Sequence, residues 1–97
     1  MTAYIVLEIQ TKNECLGDMK KMLTTNLPQA LAFDGCLSVD LVENEEDPCN
    51  LVFFEKWKSR AHYEKYFEWR TKTGVLEAFS AMLKGPPSFR YFQKYDC

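Results

Sequence analysis

The chain has 97 residues, 46% of them hydrophobic, which suits one domain over 1–97 with a single core and is too little for two. Its 12 Lys+Arg against 14 Asp+Glu give a formal charge of -2 without the clustered basic surface that phosphate neutralisation requires, so nucleic acid is not an expected partner. Four cysteines without a C-x-x-C pair, and one histidine, argue against a structural metal site.

The cysteines are Cys15, Cys36, Cys49 and Cys97, the last expected to be a frayed terminal thiol. The opening "MTAYIVLEIQ" lacks the basic start and long apolar core of a signal peptide, so reduced thiols and a cytoplasmic location are expected. Apolar runs such as "LVFF" fall far short of the ~20 residues that span a bilayer, so no membrane partner is expected.

In "AYIVLEIQ", Ala3, Ile5, Leu7 and Ile9 share one face of a strand, and Tyr4 and Val6 share the other. Thr11 and Glu14 have capping-box spacing before a helix marked by Cys15, Leu16, Met19, Met22, Leu23 and Leu27. Pro28 removes a backbone donor and predicts a kink or restart near Asn26, and Gly35 in "FDG" is the expected left-handed cap. "CLSVDLVE" reads as a strand with Leu37, Val39 and Leu41 on one face, and "ENEEDPCN" as an acidic turn.

"LVFFEKWK" is the return strand, with Leu51, Phe53, Glu55 and Trp57 facing one way and Val52, Phe54, Lys56 and Lys58 the other. An inward Glu55 calls for a partner such as Arg70 or Arg90, which predicts a structural ion pair. Ser59 is a natural N-cap for the next helix, which Gly74 interrupts before "VLEAFSAML" continues. "KGPP" ends it, and the aromatic "SFRYFQKY" predicts a last strand.

The order βαββαβ predicts an α+β, ferredoxin-like fold, a four-stranded antiparallel sheet with both helical regions on one face. The other sheet face is apolar yet uncovered, more than a soluble monomer usually exposes. A second copy packed sheet to sheet is the simplest cover, which predicts a homodimeric α/β barrel.

With "DGCLSVDLVENEEDPCNLVFFEKWKS" and the ending "WRTKTGVLEAFSAMLKGPPSFRYF", the chain resembles the antibiotic biosynthesis monooxygenase family over nearly its whole length. The resemblance implies a dimeric barrel that oxygenates quinols, anthrones or polyphenols with molecular oxygen, in many members without metal, flavin or haem. No cofactor is therefore expected. Other members isomerise or cleave small metabolites or degrade haem, so an isomerase, a cleavage enzyme or a non-catalytic binding barrel are the alternatives. The family's strand tryptophan falls on Trp57, and the tyrosine of anthrone-oxidising members, six positions on, falls on Tyr63. Their asparagine has no match. The haem-degrading branch has a tryptophan where this chain has Tyr66 and a histidine where it has Leu76, which argues against that reading.

Cofactor-free oxygenation needs a base, a hydrogen-bond donor for the developing anion, and flat walls. Projected at about 100° per residue, His62, Tyr66 and Trp69 flank Tyr63 and Arg70 on one side of the helix. His62 is the candidate base and Tyr63 or Tyr66 the donor, so His62 and Tyr63 are the candidate catalytic residues. Arg70 is a candidate for holding anionic charge, and Trp57 and Trp69 for the walls, so these three and Tyr66 are the expected substrate contacts, with a small aromatic and oxygen as partners.

Overall fold

A computed structural model describes residues 2–96; the expectation for Cys97 lies outside the described residues. The period-two pattern of the first segment forms β1 (Ala3–Gln10), with Ile5, Leu7 and Ile9 buried. A single 3-10 turn (Asn13–Cys15) leads into α1 (Leu16–Ala32), followed by the hairpin of β2 (Cys36–Asn44) and β3 (Asp47–Trp57). Then come α2 (Arg60–Lys72), α3 (Val75–Ala81) and β4 (Ser88–Phe92). The sheet order is β2-β3-β1-β4 with antiparallel pairings throughout, the ferredoxin-like arrangement expected from the element order.

Several local expectations are corrected. Thr11 caps nothing. Its N–H donates to the Cys49 carbonyl at 2.8 Å and it forms an isolated bridge with Leu83, so it extends the sheet rather than opening the helix. Its buried Oγ1 has no hydrogen-bond partner among the described residues, and Lys12 takes the N-cap position without a side-chain bond. The helix does not restart at Pro28, because α1 is continuous through it. Both Pro28 and Thr24, whose carbonyl loses its donor, are exposed, so that carbonyl is open to solvent. Leu37 does not join Val39 and Leu41, because a register shift between Cys36 and Ser38 leaves it unpaired and 48% exposed.

Gly35 does adopt positive φ, +93°, in the turn that returns α1 to the sheet, and a Cβ there would lie 2.5 Å from the His62 imidazole. The β2–β3 turn is the pair Glu45–Glu46, where Asn44 Oδ1 accepts from the Glu46 N–H at 2.9 Å. The Ser59 hydroxyl caps α2 by accepting from the His62 N–H, and Gly74, at φ +80°, separates α2 from α3.

The core lies between sheet and helices in two clusters. One joins Leu7, Ile9, Leu51 and Phe53 of the sheet to Met19, Phe79 and Leu83, and the other joins Ile5, Trp57 and Tyr63. On the far side of the sheet Phe54, Val42 and Phe92 remain 44–49% exposed beside half-buried Tyr4, Val6 and Val52. The apolar second face expected from the strand patterns is therefore present, opposite the side that the helices cover.

Candidate functional site

A cavity of about 190 Å³ separates the sheet from the helices. Its floor is Leu7, Val39, Leu41, Phe53, Glu55 and Phe89, its sides come from Met22, Leu23, Asn26, Leu27 and Ala30 of α1, and α2 contributes Tyr63, Tyr66, Phe67 and Arg70. Val75, Leu76 and Phe79 of α3 close the remaining side. The walls are apolar except for a carboxylate, two phenols, a guanidinium, an amide and Ser80.

Glu55 occupies the centre of the sheet, opposite Ile5 on β1 and Val39 on β2, and is 7% exposed. Its Oε1 accepts the indole N–H of Trp57 at 3.0 Å. Burial raises its pKa above the ordinary carboxylate value, and the Trp57 hydrogen bond only partly opposes that rise. The expected ion pair with Arg70 or Arg90 does not form among the described residues. Arg90 lies on the outer face, paired across from Val6 and with its guanidinium over Phe92, while Arg70 is engaged elsewhere.

Arg70 is 3% exposed and ties α2 to α1, donating from Nη1 to Gln29 Oε1 at 2.9 Å and from Nη2 to the Asn26 carbonyl at 2.8 Å. Its Nε donates to the Tyr66 hydroxyl at 2.8 Å. Tyr66 accepts that bond on its oxygen and keeps its own proton to donate. Burial raises the Tyr66 pKa and the Glu55 charge adds to that, while the Arg70 bond and charge pull it down, so Tyr66 feels both charged groups of the cavity. Tyr63 is 2% exposed, and burial, then the Glu55 charge, push its pKa far up. Its hydroxyl stays protonated at any working pH.

The remaining expected site residues lie around the cavity rather than in it. Trp57 is fully buried beneath it, with its ring 5.0 Å from Tyr66 and 5.6 Å from Tyr63, and it acts on the cavity by holding Glu55. Trp69 packs on Phe33 at 5.5 Å and under the Arg70 guanidinium at 4.7 Å. His62 is outside the lining, at the start of α2, where its Nδ1 is 2.7 Å from the Ser59 hydroxyl and its Nε2 is 4.0 Å from the exposed Asp34.

Of the six expected residues, the fold thus brings Tyr63, Tyr66 and Arg70 together on the wall. Glu55 was expected as an ion-pair member and not as a site residue. Its inward phase between Phe53 and Trp57, with aliphatic neighbours on both adjoining strands, was the signal that it could not be solvated.

The antibiotic biosynthesis monooxygenase family model matches residues 2–84. Among solved structures, a conserved protein from Methanosarcina mazei Go1 superposes with a TM-score of 0.89 at 17% identity, covering 98% of this chain and 94% of that one. An antibiotic biosynthesis monooxygenase gives 0.89 at 17% identity over 97% and 99% of the two chains. Rv0793 from Mycobacterium tuberculosis gives 0.77 at 20% identity over 99% and 97%. No curated protein matches the chain. The structural likenesses, at these identities, carry the fold, and the match over residues 2–84 carries the family: the chain belongs to the antibiotic biosynthesis monooxygenase family.

Proposed function

We propose that the protein is a monooxygenase that oxidises a small phenolic or quinol-like aromatic with molecular oxygen and needs no cofactor, and that Glu55 is its general base. The observation that carries this reading is a buried carboxylate, in an apolar cavity and without a cationic partner among the described residues, held in place by Trp57. Such a group has its basicity raised by burial, which brings it closer to the weakly acidic hydroxyl it must deprotonate.

Glu55 removes the phenolic proton through the oxygen not engaged by Trp57, and the Tyr66 hydroxyl, polarised by Arg70, donates to the phenolate oxygen. Tyr63, which can only be a neutral hydroxyl here, is a second donor. The electron-rich phenolate reduces oxygen by one electron, the radical pair joins in a carbon–oxygen bond at a ring carbon, and the proton held by Glu55 passes to the resulting peroxide to give a hydroperoxide. Loss of the proton on that carbon and cleavage of the O–O bond leave a carbonyl and water. One oxygen atom enters the quinone product and the other leaves as water, so the phenol and oxygen supply all the electrons. His62, outside the cavity lining, serves the start of α2 in this scheme.

The same base and donors would suit proton abstraction beside a carbonyl, the isomerase alternative. Oxygen uptake separates the two. With a panel of quinols and anthrones, uptake by the wild-type protein that falls at least a hundredfold in Glu55→Gln supports the oxygenase. Isomerisation without uptake overturns it.

We also infer a homodimer formed through the outer sheet face, where exposed Phe54, Val42 and Phe92 adjoin Val6 and Val52. Free Cys15, Cys36 and Cys49 suit a reducing cytoplasm.

A further inference from the structure

Arg70 is buried without an ion-pair partner among the described residues, against the rings of Tyr66 and Trp69. A guanidinium carries five N–H donors. Three of them meet acceptors, the Tyr66 hydroxyl, the Gln29 side-chain amide and the Asn26 carbonyl, and all three acceptors are neutral. One N–H on each terminal nitrogen is left over. No carboxylate lies within ion-pair range of Arg70 among the described residues, whose ion pairs are all at exposed or half-buried positions elsewhere. A buried cation without a directly paired counter-charge is costly, and the fold keeps this one at the wall of the cavity, out of ion-pair range of Glu55.

The wall beyond Arg70 limits what can supply the counter-charge. Leu7, Leu41, Phe53 and Phe79 offer a hydrated inorganic ion no replacement for its water, while a cavity of about 190 Å³ has no room for a nucleotide or a large polyanion. An apolar body of one or two rings fits both limits.

From this we infer that the cavity's ligand is a small aromatic acid, its carboxylate accepting from the two unused N–H groups of Arg70 and its ring lying on the apolar wall. A carboxylate takes two such donors at once, which suits the arginine fork better than a phenol or an amide does. The inference rests on the reading above in placing an aromatic ligand in this cavity, and it narrows that ligand from phenols in general to those carrying a carboxylate remote from the reacting hydroxyl.

The test is equilibrium binding under argon, with benzoate, cinnamate and 2-naphthoate each compared with its neutral amide. At neutral pH at least one acid is expected to bind wild type about tenfold or more tighter than its amide. Arg70→Gln abolishes that preference, Arg70→Lys keeps part of it, and Leu41→Phe, which fills the cavity and leaves Arg70 in place, loses acid binding. If Arg70→Gln does not fold, the wild-type pairs and Leu41→Phe decide. A panel in which no acid outbinds its amide, including one in which nothing binds, overturns the inference, as does a preference that survives in folded Arg70→Gln. Acid preference without oxygen uptake would sink the oxygenase and leave this inference standing. Uptake of neutral quinols without acid preference would do the reverse.

Discussion

The indole nitrogen of Trp57 reaches back two residues along the same strand to hold Glu55 Oε1 at 3.0 Å. Residues i and i+2 share a sheet face, so one strand supplies both the carboxylate and the donor that orients it. The carboxylate therefore has a defined position without the arginine that would have neutralised it.

Glu55→Gln keeps the volume and the acceptor for Trp57 but cannot take a proton. Activity is expected to fall by about 10²-fold or more, while the fold is kept. The same variant reports the pKa shift. Because the folded-state pKa is raised, the Glu55 contribution to stability is full below the unfolded value near 4.3 and is lost as pH rises through the folded value. Urea melts across that interval should show wild type losing stability relative to Glu55→Gln as pH increases. A constant difference would contradict the assignment.

Tyr66→Phe removes the acceptor for Arg70 Nε and leaves a buried charged donor with one bond fewer. A stability loss of about 1–3 kcal/mol is expected, together with slower turnover. Tyr63→Phe deletes a hydroxyl for which burial favours the neutral form, so it should lower turnover with a smaller effect on chemical denaturation.

His62→Ala should leave oxygen uptake within about twofold of wild type, since the ring lies outside the cavity lining, whereas a loss comparable to that of Glu55→Gln would return the base role to His62. Ser59→Ala, by removing the cap of α2, is expected to cost about 1 kcal/mol in denaturant unfolding.

Gly35→Ala combines a left-handed backbone with a Cβ 2.5 Å from the His62 ring. A loss of roughly 2 kcal/mol or more is expected. Adding His62→Ala should recover the steric part and leave the backbone part, a non-additivity that denaturant melts of the single and double variants can measure.

Phe54→Asp places a charge in the middle of the outer face, next in sequence to Glu55 but on the opposite side of the sheet. Sedimentation should show a homodimer for wild type and a monomer for the variant. A wild-type monomer at micromolar concentration would remove the dimer from the functional reading.

The order and faces of the strands were legible because period-two alternation reports which side is buried, and Ser59 and Gly74 were legible because caps and helix breaks act locally. Thr11 had the right spacing for a cap, but the nearer partner was the backbone of Cys49 near the start of β3, far away in sequence. Pro28 was read from its missing donor alone, whereas the exposure of Thr24 decides whether that matters. Glu55 shows the wider limit. Its inward phase was evident, yet what it met depended on where α2 set Arg70, and Arg70 was already committed to Asn26 and Gln29 of α1. Pattern gives the side a residue faces, and the packing of distant elements gives its neighbour.

Gly74 has a bearing on how the cavity acquires its size. Without the break, Arg60 to Ala81 would form one rod of roughly 33 Å at 1.5 Å per residue, and Val75, Leu76 and Phe79 would continue along the α2 axis instead of turning to close the cavity. A side chain at position 74 would meet nothing within 4 Å, so only the left-handed backbone demands glycine there. The joint works as an adjustable stop. Moving it by one residue would turn the closing wall by about 100°, while Glu55 on β3 and Arg70 on α2 lie on the sheet side of the joint, so the cavity volume can be varied apart from its charged groups.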